Sequence, residues 1–136
     1  MNKIKLACIA SILATGLANA APCDGFEIKV KNNLADDLLV TKLDLNGAQI
    51  QPGGLQKLSS HSEEVFTVSK SSKDADMIGN FVFRTVSLPS KTVNIQFDLH
   101  NSTGVCEHSD KEIPSDYNVD KTRILGKGVN YTINNK

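Results

Sequence analysis

The chain has 136 residues, 40% of them hydrophobic, with 15 basic and 15 acidic side chains, a size and balance that suit one soluble domain. Arg84 and Arg123 are the only arginines and the lysines are dispersed, so no nucleic-acid partner is expected, because a phosphate backbone calls for a concentrated basic stripe. The absence of tryptophan and a total of five Phe and two Tyr argue against a sugar-stacking platform or an aromatic membrane belt.

The first element is an export leader over residues 1–20. Lys3 and Lys5 give it a basic start, Leu6–Leu17 an apolar run, and Ala18-Asn19-Ala20 the small residues of a cleavage site before Ala21. A membrane anchor would need about 20 consecutive apolar residues. This run is shorter and is broken by Ser11, Thr15 and Gly16. Cys8 lies near the front of the run rather than just after the cleavage site, so lipid attachment is not expected. Loss of Lys3 and Lys5 leaves 13 basic against 15 acidic residues, net −2, on a domain of residues 21–136. No later segment is long and apolar enough to span a bilayer as a helix, and the expected location is secreted or periplasmic.

Cys23 and Cys106 remain after the leader. Neither has a CxxC partner, and an even pair in an oxidising compartment points to a disulfide that pins the start of the domain to the segment around Val105. Closing so long a loop would remove roughly 4 to 5 kcal/mol of unfolded-state entropy.

From there the period is two. Phe26, Ile28 and Val30 alternate with charged neighbours as a half-buried strand. Leu39, Thr41, Leu43 and Leu45 are expected on one face, followed by Asn46-Gly47 as a tight hairpin into Ala48–Gln51, which Pro52-Gly53-Gly54 ends. Glu64–Ser69 puts Phe66 and Val68 on one side, and the polar stretch Ser69–Asp76 reads as an exposed loop. Asn80–Leu88, opened by Gly79 and stopped by Pro89, has Phe81 and Phe83 facing one way and Val82, Arg84 and Val86 the other, as in a central strand. Val93, Ile95, Phe97 and Leu99 alternate with four polar residues. A short strand around Val105 then leads into an irregular segment, 107–128, before Val129, Tyr131 and Ile133 form the last strand.

About seven to eight short strands and no amphipathic helix predict an all-β fold, a single antiparallel β-sandwich of immunoglobulin-like or aegerolysin-like layout, with a barrel as the alternative. The order of features (an early strand ending in Lys31-Asn32-Asn33, the Asn46-Gly47 hairpin, Pro52-Gly53, then Gly79-Asn80-Phe81) resembles that of aegerolysin-like secreted β-sandwiches. The resemblance implies the architecture. Aegerolysins are associated with lipid binding through tryptophan and tyrosine, and this chain has no tryptophan, so no lipid-binding residue is carried over.

Motifs for chemistry are few. His61, His100 and His108 would need carboxylates such as Glu63, Asp98, Glu107 or Asp110 beside them, and a 102–104 hairpin could bring His100 to His108 with Asp110 as a third zinc ligand. Asp116, Asn118 and Asp120 have the one-apart oxygen spacing of calcium loops and are a second set of metal candidates, but Lys121 and Lys127 stand where an EF-hand needs Gly and Glu. Solvated polar faces for the first set and a polar surface turn for the second are the preferred account. No GxSxG, HExxH or Gly-rich phosphate loop is present, so no catalytic residue and no cofactor are assigned. Asn101-Ser102-Thr103 and Asn130-Tyr131-Thr132 match the glycosylation sequon.

The expected function is a non-enzymatic binding or interaction module for a protein or envelope component, with Lys70, Lys73 and Asp74 of the polar loop among its contact residues. A lipid- or calcium-binding membrane-active protein is the alternative, and a small hydrolase using His100 or His108 the third reading.

Overall fold

The computed structural model describes residues 21–136; the expected leader lies outside these residues. Ten strands form two five-stranded sheets packed face to face as a β-sandwich, with no helix among the described residues. They are β1 (Glu27–Asn32), β2 (Leu38–Leu45), β3 (Gln49–Gln51), β4 (Lys57–Leu58), β5 (Glu63–Ser69), β6 (Met77–Thr85), β7 (Thr92–Ser102), β8 (Val105–Lys111), β9 (Asn118–Ile124) and β10 (Gly128–Asn134). One sheet runs β3-β5-β1-β10-β9 and the other β4-β2-β6-β7-β8.

The alternating pattern builds one core between the sheets. Ile28 and Val30 of β1, Phe66 and Val68 of β5, and Val129 and Ile133 of β10 face Phe81 and Phe83 of β6 and Val93, Phe97 and Leu99 of β7, all fully buried. Burying side chains of this size contributes about 1.5–3 kcal/mol each relative to exposure.

Several expectations need correction. The sheets are not wholly antiparallel, because β1 and β10 run parallel, Ile28 opposite Val129 and Val30 opposite Tyr131. Asn46-Gly47 does not close a hairpin: β2 pairs with β6 and β4, whereas β3 pairs with β5 in the opposite sheet, so this turn carries the chain across the sandwich. A bulge between Val40 and Lys42 shifts the parity of β2. The core positions are therefore Leu38, Val40, Leu43 and Leu45, and Leu39 and Thr41 leave the face assigned to them. Segment 107–128 is not irregular, since most of it forms β8 and β9. Their outward residues are mostly polar, and in β9 the inward Lys121 and Arg123 break the apolar alternation by which a strand is recognised.

Cys23 and Cys106 form the expected disulfide. It ties the segment before β1 to β8 of the other sheet. Beside it, the Asn101 amide accepts from the Cys23 N–H at 2.7 Å and donates to Ser71 Oγ at 3.0 Å and the Ser72 carbonyl at 2.8 Å. The sequon asparagine at 101 thus has its side chain committed to fixing the 69–76 loop, which is further held by Ser71 N–H on Asp24 at 2.8 Å and Ser72 N–H on Gly47 at 2.8 Å. Lys70, Lys73 and Asp74 remain exposed at its surface.

Candidate functional site

On one side of the sandwich the long edge strands β8 and β9 lie next to each other, one from each sheet. Apolar residues would ordinarily close this seam. Here polar side chains do. His108 and Asp110 project inward from β8; Lys121 and Arg123 project inward from β9, opposite Tyr131 and Val129 of β10.

His108, Arg123, Asp110 and Tyr131 close a ring. Arg123 Nε donates to His108 Nδ1 at 3.0 Å, and Arg123 Nη2 reaches Asp110 Oδ2 at 3.3 Å. His108 Nε2 lies 2.9 Å from the Tyr131 hydroxyl, which donates to Asp110 Oδ1. Lys121 Nζ completes the carboxylate's partners at 2.8 Å. A guanidinium can only donate, so His108 Nδ1 must accept. His108 is therefore neutral, with its proton on Nε2 directed at Tyr131.

Surroundings enforce this state. The imidazole side chain is 3% exposed. It stacks on Phe26 at 5.8 Å and against Phe97 at 5.6 Å between ring centres. Burial holds its proton affinity below the ordinary value of 6.5; the charges of Arg123 and Lys121 act in the same direction, against the opposing pull of Asp110 and Asp98. Burial pushes the Asp110 carboxyl up, but the hydrogen bonds from Lys121 and Tyr131 outweigh it and the group lies below its usual 3.8. Burial, then the hydrogen bond and charge of Asp110, keep the Tyr131 hydroxyl protonated far beyond its ordinary range.

A pH signature follows. The unfolded chain takes up a proton at His108 near pH 6.5, and the folded chain only at lower pH, so this stabilisation is complete above about 6.5 and is lost as pH falls through the folded value. The melting temperature should decline on acidification below about pH 6.5, and His108→Gln, which keeps a donor and an acceptor but does not titrate, should flatten that decline. An equally steep decline in the variant would assign the effect to other groups.

Clefts flank the ring. Asp110, Lys121 and Tyr131 line one of about 370 Å³, whose walls include Ile95, Tyr117 and Val119 and whose rim carries Lys111 and Glu112. His108 and Arg123 line another of about 270 Å³, bordered by Phe26, Val105 and Leu125. Leu125, at the β9–β10 turn, is 90% exposed.

The residues singled out from sequence fall into separate places: His108 and Asp110 meet in the ring, whereas Asp98, His100 and Glu107 line an outer cleft. The β7–β8 hairpin forms, but His108 sits opposite Leu99 and His100 opposite Glu107, one step out of phase, so the two histidines occupy opposite faces of the sheet. His100 pairs at the surface with Asp76 at 2.8 Å. Asp116 is drawn to β7, where its carboxylate accepts from the Thr92 N–H at 2.8 Å. Asn118 and Asp120 share the other face of β9, where Asp120 accepts from Asn134 at 2.8 Å. The calcium spacing therefore brings two of its three residues onto one face. Among the described residues no group of three or more His, Cys, Asp or Glu is arranged to hold a metal ion. Sequence reasoning named His108 and Asp110 as ligands and missed Lys121, Arg123 and Tyr131 as their partners. The one legible signal was a pair of cations at i, i+2 just before the Leu125-Gly126 turn.

The sequence matches no model of a known protein family and no curated protein.

Proposed function

We propose that this is an exported, non-enzymatic binding domain that takes a segment of a protein or envelope component into the cleft between β8 and β9. The observation that carries the reading is the cleft of about 370 Å³ in which Ile95, Ile113, Val119 and the Tyr117 ring stand among polar side chains over a charged floor at Asp110, Lys121 and Tyr131, so that apolar contact and oriented polar groups meet in one concave site. Its floor is set before a ligand arrives, because each of those groups already has partners that fix its orientation. A non-catalytic role is supported by the state of His108: both ring nitrogens are engaged by Arg123 and Tyr131, and neither faces a serine, threonine or cysteine nucleophile. The aegerolysin-like or immunoglobulin-like layout belongs to this reading as architecture alone.

A photo-crosslinking residue placed at Glu112, on the cleft rim, should capture a discrete species from envelope fractions. The same residue at Lys73 should not. Capture from Lys73 alone would move recognition to the 69–76 loop, and capture from neither would remove the reading. Exposure of Leu125 beside Val105 and Ile124 favours membrane contact as a second reading. Co-sedimentation with anionic vesicles that Leu125→Asp abolishes would put it first.

A further inference from the structure

β8 is paired on one side only. Thr92 gives both its backbone N–H, at 2.8 Å to the Asp116 carboxylate, and its carbonyl, at 3.0 Å from the Asp116 N–H, toward the β8 side. Backbone groups alternate in direction along a strand, so the even-numbered residues of β7 face β8. They meet Val105, Glu107, Ser109 and Lys111, which turn back toward β7. Cys106, His108 and Asp110 accordingly aim their N–H and C=O groups at the open edge.

Of the other three sheet edges, two are blunted. β3 and β4 are three and two residues long, and Pro52 follows β3 directly. β9 is as long as β8, but its outward row of Asn118, Asp120, Thr122 and Ile124 carries a single charge and offers a second copy no opposite-charge match. β8 combines seven residues, no proline and an exposed row of Val105, Glu107, Ser109 and Lys111.

That row is complementary to itself. In an antiparallel pairing about a two-fold axis at Ser109, Glu107 lies opposite the second copy's Lys111 and Lys111 opposite the second copy's Glu107. His108 and the second copy's Asp110 then form a hydrogen-bonded pair, which is the phase that the open backbone groups require. Shifting the axis to His108 or Asp110 keeps that phase but leaves Glu107 opposite Ser109 or Ile113. Only the Ser109 register matches opposite charges, and opposite charges directly across a strand pair stabilise it.

We infer that the open edge of β8 pairs with β8 of a second copy of this chain, antiparallel and centred on Ser109, joining two five-stranded sheets into one of ten strands. The contact uses the edge and outer face of β8 and shares Lys111 with the rim of the inner cleft; its test reads the register between two copies of this chain, so it fails separately from the binding reading.

Ser109→Cys tests the register. Across a non-hydrogen-bonded antiparallel pair the Cα atoms lie about 4.5 Å apart, within the range of about 4.4–6.8 Å that a disulfide spans. Mild oxidation should give a covalent species of twice the chain mass from Ser109→Cys and none from Thr122→Cys on β9. Glu107→Lys should convert the wild-type dimer to monomer in sedimentation velocity, and adding Lys111→Glu should restore it. A wild-type monomer whose Ser109→Cys variant cross-links no faster than Thr122→Cys overturns the inference. So does a covalent adduct with a different protein, which would give the edge to that partner.

Discussion

Replacing Cys23 and Cys106 together with alanine should lower the free energy of unfolding by roughly 4 kcal/mol, the chain-entropy value for a cross-link closing a loop of this length. The two residues are 83 positions apart and join the segment before β1 to an edge strand of the opposite sheet. Without the bridge, that segment is held by the hydrogen bonds of the Cys23 N–H to Asn101, the Gly25 N–H to the Val68 carbonyl and the Ser71 N–H to Asp24, and by the buried Phe26. Such a loss is a large share of the 5–15 kcal/mol typical of a domain. Urea unfolding should show it as a lower midpoint together with a larger m-value, because the unreduced denatured chain is more compact. A midpoint shift worth less than about 1 kcal/mol would mean that the native contacts alone hold the two sheets in place.

Phe97→Ala should cost about 3–5 kcal/mol, the range for removing a fully buried aromatic side chain. Phe97 is completely buried and central: its ring meets Phe81 edge-on at 5.4 Å, His108 at 5.6 Å and Tyr131 at 6.4 Å. Its fourth neighbour is the bare backbone of Gly79, where a Cβ would come within 2.2 Å of the ring. No other residue fits beneath that ring, so Gly79→Ala should destabilise in the same direction. The substitution carries a second signature. Phe97 shields His108 from water, and without it the imidazole should titrate closer to 6.5, shrinking the acid-side loss of stability. Thermal melts across pH measure both effects. A variant that loses stability but keeps the full acid dependence would show that Phe26 alone desolvates the histidine.

How much of this was legible depended on which residues faced the core. Val93, Ile95, Phe97 and Leu99 read as a strand because packing alone decides their positions, and they are buried as expected. β2 misled because one extra residue at the bulge shifts the parity of the side chains beyond it, and no side-chain type marks the place. β9 was missed because Lys121 and Arg123 occupy inward positions where the alternation calls for apolar residues. The site was hidden for the same reason. Its members come from β8, β9 and β10, and Arg123 is placed beside His108 by the pairing of both edge strands with their own sheets, a relation with no local sequence signature. The disulfide was legible because only two cysteines remain after residue 20.

The parallel pairing of β1 with β10 also sets the order in which the molecule can be assembled. Glu27 to Asn32 find one of their two neighbours only in residues 128–133, so a chain emerging N-terminus first from a ribosome or a translocation pore carries an incomplete sheet until its last strand is free. Contacts so distant along the chain make for slow, late closure. Both cysteines precede β9. Oxidation can therefore close the covalent loop before the sheet it will staple has its central pair, leaving Ile28 and Val30 uncovered on that flank in the interval.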